Sequence, residues 1–154
     1  MQKTLGGRLT RSASVHLTLV FIGDVADSAL DVVLRIGAVQ RVQAFDLSID
    51  RIGCWSRNGI AWAAPSATAP PLIALVSGLE SGLRAEGFGI ETRPYRPHIT
   101  LLRRSHGELA DEQPGALHWH ADHFVLVRSQ PSKSGTDYQR LKAWPLEPGV
   151  NRRD

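Results

Sequence analysis

The chain of 154 residues has one cysteine, Cys54, and one methionine. A lone thiol excludes an internal disulfide framework and any multi-cysteine zinc module, and it fits a reducing compartment, for which the cytoplasm is the default. Long apolar runs are lacking as well. No stretch approaches the roughly 18 residues that a membrane-spanning helix needs, so the expectation is no membrane partner. The first fourteen residues are basic and polar and lack the apolar core of a secretory signal. With 42% apolar and 21% charged residues the composition is that of a globular protein, which excludes a disordered chain. The length suits one domain over residues 1–154 and excludes a multidomain machine.

Net charge is only +3, so its distribution carries more information than its size. Residues 1–50 hold five basic against five acidic side chains, residues 51–104 seven against three, and residues 105–154 six against seven. Within the central excess Arg93, Arg96, Arg103 and Arg104 have no acidic residue among them. Such a cluster suits a local anion site better than a basic tail, although a solvated arginine face has the same composition.

Val15 to Ile22 is a near-continuous apolar run closed by Gly23 and reads as a buried strand. From Asp27 to Gln40 the residues Leu30, Val33, Leu34, Gly37 and Ala38 form one helical stripe, with Asp24 or Asp27 as N-cap. Phe45, Leu47 and Ile49 alternate with Asp46, Ser48 and Asp50, which predicts a half-buried strand. Arg57-Asn58-Gly59 reads as a tight turn into a partner strand with Ile60 and Trp62. Pro70-Pro71 opens a second helix with Leu72, Leu75, Val76, Leu79 and Leu83 on one face, ended by Gly87 and Gly89. Pro94 and Pro97 keep the chain extended into a strand from His98 to Leu102. Ser105 to Gly115 reads as loop, and Phe124 to Arg128 with Tyr138 to Trp144 as a last strand pair around Ser134-Gly135. The class is α+β, with helices packed on antiparallel-rich sheet.

Two of these predicted strands share a spelling: His16-Leu17-Thr18-Leu19 and His98-Ile99-Thr100-Leu101. With six His and seven Thr in the chain, chance alone gives about 0.3 His-x-Thr pairs. Residues i and i+2 of a strand project from one face, so each His and Thr pair can converge on one small ligand while the intervening residue faces the core. Imidazole is the side chain best suited to gain or lose a proton near neutral pH, and hydroxyls donate hydrogen bonds to an anion without adding charge. The pattern suits displacement at phosphorus, one His as base, the other as acid, and Thr18, Thr100 and an arginine on the nonbridging oxygens. Either motif taken singly reads more simply as a packed histidine beside a ladder threonine; the doubling favours chemistry.

The chain resembles the two-histidine (2H) phosphoesterase superfamily, and within it the bacterial RNA 2′,3′-cyclic phosphodiesterases, also called 2′-5′ RNA ligases. The likeness rests on His16-Leu17-Thr18-Leu19-Val20-Phe21-Ile22-Gly23, on Tyr95-Arg96-Pro97-His98-Ile99-Thr100-Leu101 followed by Arg103, and on Ser134-Gly135-Thr136-Asp137-Tyr138 with Leu141 and Trp144-Pro145-Leu146. It implies a bilobal fold with pseudo-twofold symmetry and outer helices. It also implies opening of a 2′,3′-cyclic phosphate at an RNA end to a 2′-phosphate, without metal or other cofactor, and the reverse joining through a 2′-5′ linkage. By the same resemblance His16 and His98 are catalytic, His98 activating water and His16 protonating the leaving 3′-oxygen, while Thr18, Thr100 and Arg103 bind phosphate.

Unbroken alternation puts Arg103 on the face opposite His98 and Arg104 on the same face, so Arg103 reaches the phosphate only through a bulge or a curled side chain, with Arg104 in reserve. Tyr95 and Arg96 are candidates for stacking on, or charge contact with, the nucleotide. A strand and a helix precede His98 but have no counterpart before His16: either the sequence starts downstream of the true beginning, or one lobe lacks these elements, with an exposed edge and apolar face that favour pairing with a second copy of the chain. His118, His120 and His123 with Asp122 are a weaker zinc candidate, without a familiar zinc spacing. Trp55, Trp62, Trp119 and Trp144 read as core or rim packing rather than base platforms. A noncatalytic RNA-end or nucleotide-binding module is the reading from a different class.

Overall fold

In the computed structural model the described residues are 6–106, 115–132 and 135–149. The strand expected around Phe45 is β2, Phe45–Trp55, in which Phe45, Leu47 and Ile49 are buried between exposed Asp46 and Ser48. Its period then breaks once. Ile49 pairs with Pro65 but Arg51 with Ala64, so Asp50 is an extra, bulged residue, and its carboxylate accepts hydrogen bonds from the Ser66 amide at 2.7 Å and hydroxyl at 2.6 Å. A 3-10 turn at Ser56–Asn58, ended by left-handed Gly59 at φ 58°, leads into the antiparallel β3, Ile60–Pro65. That is the hairpin the sequence predicts.

Strand β1 is Arg8–Leu9, β4 is Ile99–Arg103 and β5 is Leu117–Ala121, and the sheet order is β1-β4-β3-β2-β5. The chain divides into two compact units, the first made of Met1–Thr18, Leu47–Thr68 and Tyr95–Trp119, which hold most of this sheet. Ala61 and Leu102 are wholly buried on one of its faces. Ahead of His16, among the described residues, stand only β1 and a 3-10 turn at Ser12–Ser14. They are far shorter than the strand and helix ahead of His98, and β1 lies along β4 as the edge strand of the sheet.

The second unit comprises Leu19–Asp46, Ala69–Pro94 and His120–Asp154. Helix α1, Leu30–Ala38, follows a 3-10 turn at Asp27–Ala29, and helix α2 is Pro70–Ala85 with proline in its first turn. Neither Asp24 nor Asp27 caps α1, since no side-chain cap bond is made there; Asp27 instead accepts from the Arg128 guanidinium at 3.2 Å. Val33, Ile36, Leu83 and Ile90 form the core, where Gly82 lets α2 approach Ile36: a Cβ at that position would lie 2.8 Å from the Ile36 side chain.

The run Val15 to Ile22 is not a strand. Only Leu17 makes a ladder contact, and Val20 and Ile22, half-buried, instead pack against the core of the second unit, so contact with that core rather than sheet pairing accounts for their hydrophobicity. The last strand pair is longer than expected: β6, His123–Ser132, and β7, Gly135–Pro145, pair antiparallel along their length, and Ser134 lies outside the described residues. Trp144 stacks on Phe124 at 5.1 Å, and its indole lies so close to Gly37 of α1 that a Cβ there would sit 2.5 Å from the ring. No helix among the described residues is long and apolar enough to cross a membrane.

Candidate active site

Both His-x-Thr motifs belong to the first unit. Leu17 forms an antiparallel bridge to Ile99, the middle residues of the two motifs. An antiparallel register runs in opposite senses from that pair, so His16 comes abreast of Thr100 and Thr18 abreast of His98. Alternation sends Leu17 and Ile99 to one side, where Ile99 is buried, and the four polar residues to the other. A local twofold relation therefore arises from the register of one bridge.

Segment 8–17 reaches that bridge along the same edge of β4 that β1 occupies. Arg8 pairs with Arg103 and Leu9 with Leu102, and Leu17 then pairs with Ile99. Between the last two pairs the edge advances eight residues while β4 retreats three, and the surplus loops out through the 3-10 turn. That turn delivers His16.

The two imidazoles are held alike. His16 Nδ1 lies 2.7 Å from the carbonyl of Ser14, and His98 Nδ1 lies 2.8 Å from the carbonyl of Arg96, in each case two residues back. A carbonyl only accepts, so Nδ1 carries the proton and the lone pair of the neutral ring resides on Nε2 in both motifs. The sequence offered no signal for this pairing beyond the extended lead-in that prolines impose around His98.

Arg103 lies on the same face as Thr100. On β3 the residues Ile60 and Trp62 are two apart and share a face; their partners on β4 are Arg103 and Thr100, three apart. Leu101 is the extra residue of a bulge, and the buried residues of β4 are accordingly Ile99 and Leu102, also three apart. The face derived from unbroken counting is thus corrected by one residue. Arg104 follows the strand in the left-handed region at φ 57° and has no ladder partner, so the reserve candidate falls outside the register that aligns Thr100 and Arg103.

Continuing the ladder, Gly53 pairs with Trp62 and Trp55 with Ile60, so Trp55 shares the face of the motif residues. Its ring meets that of His98 edge-on, 4.7 Å between centroids at 73°, and lies 5.6 Å from Trp62. Trp55 is the site residue that sequence reasoning assigned to packing. Its signal was the glycine two positions earlier: a Cβ on Gly53 would stand 2.3 Å from the Trp62 indole, so the absent side chain makes room for the aromatic pair.

Other candidates land elsewhere. Tyr95 is half-buried and its hydroxyl donates to the Thr18 carbonyl at 3.1 Å, tying the lead-in of the second motif to the first. Burial pushes its phenol well above the usual range, so it stays a donor. Arg96 is exposed, and the contact it makes with His98 runs through its carbonyl. Arg93 lies in the second unit, bonded to Glu91, and is no member of the arginine cluster. His118 Nδ1 meets the Ser48 hydroxyl at 3.1 Å, His120 the Asp46 carboxylate at 2.7 Å and His123 that of Asp122 at 2.5 Å. Each has its own partner, and among the described residues no three ligating groups converge as a metal site.

Known proteins share this architecture. The family model of the 2′-5′ RNA ligase superfamily matches residues 3–132. An RNA 2′,3′-cyclic phosphodiesterase of Escherichia coli K12 is 31% identical over 91% of this chain and 80% of its own length. One of Thermus thermophilus is 32% identical over 86% of this chain and 72% of its own. The crystal structure of E. coli LigT complexed with 3′-AMP superposes with a TM-score of 0.85 at 30% identity, covering 91% of this chain and 81% of that one. The family model spans both motif segments, and this chain belongs to the 2′-5′ RNA ligase superfamily.

Proposed function

We propose that the protein hydrolyses 2′,3′-cyclic phosphates at RNA ends to 2′-phosphates, using the two His-x-Thr motifs and no metal or other cofactor, and that the same site run backwards joins a 5′-hydroxyl to such an end through a 2′-5′ linkage. The observation that carries this reading is the matched geometry of the rings: each donates its Nδ1–H to a carbonyl two residues back, which puts the lone pair of the neutral ring on Nε2 in both. The relatives' names supply the substrate class.

In the hydrolytic direction His98 Nε2 takes a proton from water as its oxygen bonds to phosphorus. The bond from phosphorus to the 3′-oxygen breaks, and protonated His16 gives its Nε2 proton to that oxygen. Thr18, Thr100 and Arg103 hold the nonbridging oxygens, whose charge grows in the transition state. Solvent then resets the two rings. The Leu17–Ile99 bridge supports one site shared by the two motifs, because it brings each His abreast of the other motif's Thr.

The test is incubation with a nucleoside 2′,3′-cyclic phosphate in excess chelator. Wild type yields the 2′-phosphate, with a rate that falls on both sides of a pH optimum, and His16→Ala or His98→Ala lowers kcat at least about 100-fold. Binding without product would identify a noncatalytic module, and loss of turnover in chelator would identify a metal enzyme. Either result overturns the proposal.

A further inference from the structure

Thr18 and Thr100 are equivalent in the register of the two motifs but are held differently. Thr100 lies inside β4, opposite Trp62 of β3. Thr18 is exposed, stands one residue past the Leu17–Ile99 bridge, and is the last residue of the first unit before the chain passes to the second. A single bridge fixes the residues it joins and lets the next one fray. At that place the Tyr95 hydroxyl donates to the Thr18 carbonyl at 3.1 Å.

Tyr95 opens the segment by which the chain returns to the first unit. In the same segment the Arg96 carbonyl accepts from His98 Nδ1 at 2.8 Å. Because Thr18 comes abreast of His98, the short stretch 95–98 holds both members of that pair, the ring through a carbonyl and the threonine through a phenol. Carbonyls of paired extended chains lie in the plane of the sheet and side chains stand perpendicular to it, so a bond to the Thr18 carbonyl fixes its backbone without occupying the face toward which the side chain projects. Burial keeps the Tyr95 phenol protonated through the range in which imidazole titrates, so this bond persists while the two rings exchange protons. We infer that Tyr95 is a positioning residue: its hydroxyl keeps Thr18 in register with His98, so that the Thr18 hydroxyl meets a nonbridging phosphate oxygen, the part that ladder pairing plays for Thr100. The inference rests on the cyclic-phosphate reading and adds the group that sets the first motif's phosphate contact.

Tyr95→Phe removes the hydroxyl and keeps the ring. It is made in wild type and in Thr18→Ala, with melting curves to establish folding, and the four proteins are compared on a nucleoside 2′,3′-cyclic phosphate. Tyr95→Phe lowers kcat/KM about tenfold when Thr18 is present and less than about twofold when Thr18 is already alanine, because a group that acts through the threonine has nothing left to position. An equal loss in both backgrounds, the signature of a merely structural tyrosine, overturns the inference, and so does no loss in either. A wild type inactive on the cyclic phosphate overturns the cyclic-phosphate reading instead. The positioning role is then judged from binding of a nucleoside 2′-phosphate to the same four proteins. Affinity that weakens about threefold in Tyr95→Phe only where Thr18 is intact upholds it, whereas equal weakening, no weakening or no binding at all sinks it.

Discussion

A neutral imidazole has one nitrogen that donates and one that accepts, and in His16 and His98 a backbone carbonyl engages the same nitrogen. The constraint is local, two residues back in each case, so each motif brings its own tautomer with it. Arg103 is different, because its role depends on a neighbour strand. Arg103→Ala is expected to lower kcat/KM by about 100-fold, the usual scale for one lost donor to a developing oxyanion. Arg104→Gly tests the other candidate: it relieves a left-handed backbone worth about 1 kcal/mol, so the melting temperature rises and turnover stays near wild type. The reverse ranking of the two variants in activity would refute the register argument. The two His and two Thr were legible as letters, whereas Trp55 was not, since an indole in a strand reads as packing until its neighbour is known.

At the scale of elements, single-residue bulges decide what each strand presents. Leu101 in β4 turns Arg103 to the motif face, and Asp50 in β2 shifts the phase so that Arg51, Gly53 and Trp55 follow where Ile52 and Cys54 face the core side. No property of Leu101 marks it as bulged; the surplus appears only when β4 is laid against β3. Asp50 has a consequence that titration can read. The Ser66 hydroxyl and then the Ser66 amide hold its carboxyl below the ordinary value near 3.8. A depressed folded pKa means that the stabilisation is complete above the unfolded value and fades as pH falls through the folded one. Asp50→Asn lowers the melting temperature at neutral pH, and the gap from wild type closes as the pH drops below that window. A gap that persists into strong acid would show that the hydrogen bonds to Ser66 do not depend on the charge.

At the scale of the whole molecule the small net charge hides an uneven division. From the sequence, the first unit carries eight basic against four acidic side chains and the second ten against eleven, so the excess lies with the unit that holds both motifs. An electropositive site gathers a polyanion and loses that advantage as salt screens it. KM for an oligonucleotide with a cyclic end is therefore expected to rise more steeply with salt than KM for a mononucleotide, while kcat changes little. Parallel salt dependence of the two KM values would remove electrostatic recognition of the RNA backbone from the account.

Residue types and short spacings by themselves determined the helices at Leu30–Ala38 and Pro70–Ala85, the hairpin of β2 and β3, and the repeated His-x-Thr pattern, because periodicity and local turn geometry act over a few residues. What only the tertiary structure decided was contact between segments far apart in the chain. The bridge of Leu17 to Ile99, the face of Arg103 and the placement of Trp55 against His98 each depend on interstrand register, and one slipped residue reverses a side chain. The apolar run after His16 shows the same division: its hydrophobicity predicted a buried strand, whereas Phe21 is exposed and only Val20 and Ile22 pack, half-buried, against the core of the second unit.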